Sequence, residues 1–456
     1  MSGKQLTLQQ AAEWAEGTCV GDKGNPAGIS LAGWAIDSRL VKAGDVFVAI
    51  KGAKTDGHSH VAGAVAAGAK ALLLSTPVDT TVPYILVDDT VKALGQIAKK
   101  WAAQFQMATV AVTGSVGKTT TKSLIANIMT VHHSTLVTPG NANSEFSLPL
   151  LLLKLNESHD SIVLEMGACK AGDIAYLCDL APPHIALVTC AVAVHLASFG
   201  SLDTIAHTKG EIYKALREDG TAVINADDAY APLWKDFAKG KNIITFGMQN
   251  AADVYASDIE ELGLLGSRFV LHVPGRASIA VKLPFPGRHN IQNALAAAAV
   301  AHAAGVSLET MKQGLETAQN AGGRLQVKQL GSLQVIDDSY NANPTSMRAA
   351  IDVLANLPGE KVLITGDMLE LGPTEKAAHF DLGVYAKSKG LKHLFSYGPL
   401  SFETVRGFGE GARHFESHDA LAEALHPTLA HPATVLVKGS RSMGMEKVIE
   451  RLRNKL

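Results

Sequence analysis

The stretch that most constrains this chain runs from residue 109 to 122. The β-branched run Thr109-Val110-Ala111-Val112 enters Thr113-Gly114-Ser115-Val116-Gly117-Lys118-Thr119-Thr120 and leaves as a helical pattern through Leu124, Ile125, Ile128 and Met129. Strand, glycine turn and helix in that order aim several backbone N–H groups and the positive end of a helix at one anion. Gly114 and Gly117 let the main chain approach that anion without Cβ interference. The amides of Ser115, Val116 and Thr120 lie around the same turn. Lys118 can neutralise charge on the outer phosphates of a nucleotide, and the Thr119 hydroxyl can reach a magnesium ion. Val112 stands where the strict form of the motif has glycine, so the loop is a variant.

A loop of this type sits on a parallel sheet, and the pattern around it agrees. Strand-like runs at 162–164, 185–188, 222–224 and 243–246 alternate with helical ones from about residue 86 to 320, which predicts a mainly parallel sheet covered by helices. Residues 254–283 change to strand patterns with turn glycines, a small antiparallel addition, and 291–304 read as a buried helix. Before residue 85, strands at 45–50, 71–74 and 81–87 and a small-residue helix at 61–69 make a smaller α/β unit. A helix with apolar residues Val91, Leu94, Ile97, Trp101 and Phe105 then leads to the loop strand. Gly322-Gly323-Arg324 reads as a hinge, and strands at 333–336, 362–364, 394–397 and 435–437 predict a third, doubly wound domain. The expected fold class is α/β in three domains: an N-terminal unit over 1–85, a central phosphate-loop ATPase unit over 86–320 and a Rossmann-like unit over 321–456.

Composition narrows the function. The 456 residues are 47% apolar, and 41 basic against 43 acidic side chains leave a formal charge of −2. That balance excludes nucleic-acid binding driven by bulk electrostatics. Cys19, Cys169, Cys178 and Cys190 show no C-x-x-C pairing and read as reduced core thiols. No apolar run approaches a bilayer span and the first residues lack a signal-peptide core, so a cytoplasmic protein without membrane insertion is expected.

In open α/β sheets ligands sit beyond the carboxyl ends of the strands. Three polar residues fall there in the central unit. Glu165 closes the strand 162–164, His195 follows the strand 185–188, and Lys209 opens a helical run to residue 216. A carboxylate and an imidazole beside a nucleotide phosphate are plausible magnesium ligands, although imidazole is unusual for so hard an ion.

With these residues, the phosphate loop, Leu164-Glu165-Met166-Gly167-Ala168, His195 with Phe199-Gly200-Ser201, and Lys209-Gly210-Glu211-Ile212 resemble the Mur ligase superfamily. Gly287-Arg288-His289-Asn290-Ile291-Gln292-Asn293-Ala294 is similar to that family's adenine-contacting stretch. The runs 338–344, 366–372 and 438–443 narrow the resemblance to the member that adds D-alanyl-D-alanine to UDP-N-acetylmuramoyl-tripeptide. The resemblance spans nearly the whole chain, in order.

It implies roles. Lys118 and the loop amides would hold ATP, and Thr119, Glu165, His195 and Lys209 would serve two Mg2+ ions, with Lys209 carbamylated by carbon dioxide. Asn290 and Asn293 would meet adenine, while Arg324 and Asp338 would reach the phosphates and ribose. Ser38, Arg39, Lys51, Gly52, Thr55, Asp56 and His58 resemble a uridine-diphosphate site. Asn141, Asn143 and Ser144 resemble the segment meeting the muramoyl part. Tyr340, Asn341, Lys438, Ser440 and Arg441 fall in the third-domain runs that bear on substrate. Ser147 and Cys169-Lys170 depart from the family's commoner residues. The implied partners are small molecules, with a monomer as default and the tripeptide's third residue open between diaminopimelate and lysine. A folylpolyglutamate synthase-like ligase is the nearest rival, and a nucleotide switch, suggested by Asn225-Ala226-Asp227-Asp228, is the rival from another class.

Overall fold

Alternate residues of a strand point to opposite faces, and here both faces are apolar, so each main sheet is buried on both sides. Val110 and Val112 pack into one cluster while Ala111 packs into another. Val335, Val435 and Val437 face one side of the last sheet, and Ile336 and Leu436 face the other. The computed structural model describes residues 4–21, 26–52, 55–319, 322–428 and 432–454.

Three sheets result, each drawn from one contiguous stretch. The first orders its strands Thr18–Val20, Tyr84–Leu86, Ala71–Leu74, Val46–Val48 and Trp34–Ala35, parallel except for the first. The helix Thr90–Ala102 carries Leu94, Ile97 and Trp101 into a core shared between this sheet and the central one.

The central sheet has nine strands. Six are parallel neighbours: Thr135–Val137, Ser161–Glu165, Ala108–Thr113, Ile185–Val188, Thr221–Asn225 and Asn242–Gly247. The antiparallel addition expected over 254–283 is present as Val254–Glu261, Ser267–His272 and Ile279–Leu283. Its first strand pairs in parallel with Asn242–Gly247 and so continues the same sheet. The buried helix Arg288–Ala303 crosses its face.

The third sheet orders Gln326–Leu330, Leu333–Asp337, Ala433–Lys438, Glu360–Gly366, His393–Tyr397 and Ala412–Phe415. Only its first strand is antiparallel, a hairpin edge directly after the expected hinge that the sequence reading missed. Apolar patterning is weak there: three of its five residues are Gln or Lys, and four of the five are partly or fully exposed.

Two readings need correction. Lys209 does not open a helix; it lies late in Leu202–Lys214, whose N-cap Ser201 accepts from the Thr204 amide. The helix starts early because Ser201 supplies a capping oxygen and Asp203 a first-turn charge. Cys178 is buried, Cys19 and Cys190 are half-buried and Cys169 is exposed, so the cysteines are not a set of core thiols.

Candidate active site

The strand Ala108–Thr113 lies between Ser161–Glu165 and Ile185–Val188, and the chain fills the sheet outward from it in both directions. Such a reversal leaves a crevice at the carboxyl ends, and the phosphate loop occupies it. Gly114 has φ 145°, and a Cβ there would stand 1.9 Å from Thr189 Oγ1. Gly117, with φ 81°, begins the helix Lys118–Met129, and a Cβ would meet Asn293 Oδ1 at 2.6 Å. Both positions therefore need glycine for conformation and for space. Ser115 Oγ donates to the Val192 carbonyl at 2.9 Å, and Thr189 Oγ1 donates to the Val116 carbonyl at 2.6 Å, so the neighbouring strand end braces the loop. Thr120 and Val116 line the cavity beside it. Lys118 Nζ folds back onto the carbonyls of Gly114 (2.7 Å) and Ser115 (3.2 Å). Burial lowers its pKa, against a raising pull from Glu165.

Glu165 is in register with Val112 and only 1% exposed. Its Oε1 accepts from Asn143 Nδ2 at 2.7 Å, while buried Oε2 has no hydrogen-bond partner and lies 3.4 Å from Lys122 Nζ. Ser144, at the end of the same segment, exchanges contacts with Ser147: its amide donates to Ser147 Oγ at 3.0 Å. Asn141 is exposed.

His195 adopts a left-handed conformation, φ 52°, at the start of the short helix Leu196–Phe199. Its Nδ1 pairs with Glu370 of the third sheet's loops, itself left-handed at φ 65°. Lys209 is 2% exposed and 5.6 Å from the Phe199 ring centroid. Burial first, then the nearby Lys118 charge, push its ammonium down to about 7.

The third sheet closes over the crevice. Arg324 Nη2 donates to Thr119 Oγ1 at 3.1 Å and its guanidinium lies 4.2 Å from the Tyr340 ring centroid. Lys438 Nζ pairs with Asp338 Oδ2 at 2.6 Å and donates to the Asn341 carbonyl at 2.8 Å, with Lys438 and Asp338 both buried. Ser440 Oγ accepts from the Leu369 amide at 2.9 Å, whereas Arg441 is exposed and pairs with Glu446. On the buried central helix, Asn290 Oδ1 accepts from Asn293 Nδ2 at 3.1 Å, and Asn293 Oδ1 accepts from Thr121 at 3.2 Å. A cavity of about 490 Å³ joins these groups. It is lined by Gly117, Thr120, Asn225, Asp227, Tyr230, Asn290, Asn293, Arg324, Asp338 and Lys438.

The first-sheet candidates form a separate group. Arg39 grips Asp37 through Nε at 2.9 Å and Nη2 at 2.6 Å, holding that carboxyl down to about 2. Ser38 lies in the turn Ser38–Leu40 between them. The backbones of Lys51 and Asp56 pair in an isolated antiparallel β-bridge, and the Gly52 amide donates to the Thr55 carbonyl at 2.9 Å. Asp56 accepts from His58 Nδ1 at 2.7 Å, and His58 Nε2 accepts from the Ser75 amide at 3.0 Å. Among the described residues no hydrogen bond or ion pair joins this group to the phosphate-loop cluster.

Lys122, Glu370, Asp227 and Tyr230 were not among the expected site residues, although Asp227 and Glu370 lie in the runs 225–228 and 366–372. Lys122 carried a signal: it follows Lys118 by one helical turn and shares the face that turns inward. Glu370 lies in the run 366–372 that bears on the resemblance, but only the docking of the third sheet brings it to His195.

The family models matched are the Mur ligase family catalytic domain over residues 31–102, the Mur ligase middle domain over 112–301 and the Mur ligase glutamate ligase domain over 323–441. The chain is 40% identical to UDP-N-acetylmuramoyl-tripeptide–D-alanyl-D-alanine ligase of Escherichia coli over 452 residues, 98% of each chain. It superposes on a crystal structure of MurF from Acinetobacter baumannii with a TM-score of 0.93 at 36% identity, each chain covered fully. MurF ligase from Thermotoga maritima in complex with ADP gives 0.81 at 29% identity, covering 93% of this chain and 97% of that one. With three successive family matches along the chain and relatives alike from end to end, the chain belongs to the Mur ligase family.

Proposed function

We propose that this protein is the ATP-dependent ligase that joins D-alanyl-D-alanine to UDP-N-acetylmuramoyl-tripeptide in peptidoglycan precursor synthesis. The observation that carries the reading is that the phosphate loop shares one cavity with Arg324 and Lys438 of the third unit, while buried Glu165 ends the strand beside the loop strand and buried Lys209 lies within electrostatic reach of Lys118.

A carboxylate is a poor acyl donor because its leaving group would be oxide. The tripeptide's terminal carboxylate oxygen attacks the γ-phosphorus of ATP, the bond to the ADP oxygen breaks, and an acyl phosphate forms. The amine of D-alanyl-D-alanine then attacks the acyl carbon, loses a proton, and inorganic phosphate leaves. The loop amides, Lys118 and Arg324 neutralise and align the phosphates, which is most of what phosphoryl transfer asks of a protein. Asn290 and Asn293 lie on the cavity wall where adenine would sit, and Asp338 with Lys438 would meet the ribose side. The Asn141–Ser144 segment would meet the muramoyl part, the group from Ser38 to His58 the uridine diphosphate, and Tyr340, Asn341, Ser440 and Arg441 the incoming dipeptide.

Magnesium fits this site in part. Buried Glu165 Oε2 lacks a hydrogen-bond partner, and Thr119 supplies a hydroxyl. Among the described residues no cluster of three or more His, Cys, Asp or Glu could hold a metal alone. Magnesium takes one or two protein oxygens and completes its shell with phosphates and water. Thr119, Glu165 and His195 would hold two such ions, which would neutralise phosphate charge. Lys209 fits carbamylation: an amine held near pKa 7 by burial is neutral often enough for its nitrogen to attack CO2, releasing a proton and leaving an anion that would replace a repelling ammonium.

Among the described residues no helix is long and apolar enough to cross a membrane. A monomer working in the cytoplasm on small molecules is the form the family likeness supports. The test is direct. Purified protein with ATP, magnesium, D-alanyl-D-alanine and either the diaminopimelate- or the lysine-containing UDP-tripeptide should give the UDP-pentapeptide by mass. Absence of ligated product with both tripeptides would refute the function.

A further inference from the structure

Lys122 is 3% exposed, yet the chemistry above gives it no task. An ammonium has three hydrogens to place, and burying it is unfavourable unless each finds an oxygen. Here Nζ donates to the Thr138 carbonyl at 2.8 Å and the Gly140 carbonyl at 2.7 Å, and its charge is paired with Glu165 Oε2 at 3.4 Å. Packing alone would be met by an apolar side chain of equal length, so the charge itself has a use.

The segment it reaches needs holding. Residues 139–143 belong to no strand or helix, and their own bonds are short-range turns, Ala142 N to Pro139 O at 3.0 Å and Asn143 N to Asn141 O at 2.8 Å. The segment is tied down at its ends, by Thr138 N to Val163 O at 3.0 Å and by Asn143 to Glu165 at 2.7 Å. Lys122 grips its middle, at Gly140. The same ammonium is the nearest cation to the otherwise unpartnered oxygen of Glu165.

We propose that Lys122 is a positioning residue, whose ammonium fastens the segment Thr138 to Asn143 to Glu165 so that the muramoyl-facing loop and the metal-facing carboxylate are held as one unit. This rests on the reading that Asn141–Ser144 meet the muramoyl substrate.

The test compares the parent with Lys122→Met and Lys122→Arg. In the ligand-free protein, amide hydrogen exchange over residues 138–146 should be faster in Lys122→Met and partly restored in Lys122→Arg. In steady-state assays, Lys122→Met should raise KM for the UDP-tripeptide at least about tenfold, a clearly larger factor than any rise in KM for ATP. Should Lys122→Met not fold, Lys122→Gln carries the same comparison, since it keeps a donor but not the charge. Unchanged exchange over 138–146, or equal changes in KM for all substrates, would overturn the proposal. A parent that makes no product from these substrates would instead overturn the functional reading, and the exchange result would still decide whether Lys122 holds the loop.

Discussion

Replacing Lys209 by methionine tests whether its burial, rather than its position alone, prepares the amine. The unfolded chain keeps this proton up to about pH 10.4, whereas the folded protein sheds it near 7. Below about 7 both states are protonated and the fold bears the full cost of a buried ammonium. Above it the unfolded state binds more protons, so stability rises with pH until the unfolded value is passed. At about 1.36 kcal/mol per pKa unit, the gain between pH ~7 and pH ~9 comes to about 2 kcal/mol. Methionine has no proton to lose, so Lys209→Met should be the more stable protein at pH ~7, with its advantage over the parent shrinking by about 2 kcal/mol at pH ~9. Urea unfolding in CO2-free buffer would show this. Trp234, which donates to the Ala206 carbonyl on the Lys209 helix at 3.0 Å, is a suitable reporter once the other three tryptophans are replaced by phenylalanine in both proteins. Parallel stability curves for parent and variant would refute the reasoning. The same figure bears on catalysis: near pH 7 about half of such amines are neutral, against about one in 2,500 for an ordinary lysine.

Further outcomes are expected. Lys209→Ala should lose turnover and regain part of it with added acetate or another short carboxylate; no response to the carboxylate would count against a carbamate. Lys118→Ala should lower kcat by about a thousandfold or more with an unchanged circular dichroism spectrum, since the lost cation faces the developing phosphate charge. Gly114→Ala places a methyl 1.9 Å from Thr189 Oγ1 at φ 145°, so loop strain of about 1–3 kcal/mol or more should abolish heat on titrating ADP with magnesium. Lys438→Met strips buried Asp338 of its 2.6 Å partner and should destabilise the third unit by about 3–5 kcal/mol in thermal unfolding.

Much of this was legible in sequence because the signals are local. A run such as Val110-Ala111-Val112 feeding glycines at 114 and 117 can only be a strand meeting a helix over an anion, and each of those properties belongs to a few adjacent residues. The same locality holds for the buried strands at 71–74 and 185–188, observed where they were expected. The strand Gln326–Leu330 escaped because its residues lie at a sheet edge, where no second face demands apolar side chains. The late position of Lys209 in its helix escaped because a capping serine eight residues upstream set the start.

The sequence alone determined the phosphate cradle, the α/β class and the residue types gathered on the strand ends, because period-two burial and glycine geometry are written within short windows. Tertiary structure decided which of them meet: Arg324 on Thr119, Glu370 on His195 and Lys122 between Glu165 and the Gly140 carbonyl. These contacts join residues tens to hundreds of positions apart or across separate sheets. Their distances follow from how whole sheets pack, and burial, not sequence, is what shifts the Lys209 amine toward its neutral form.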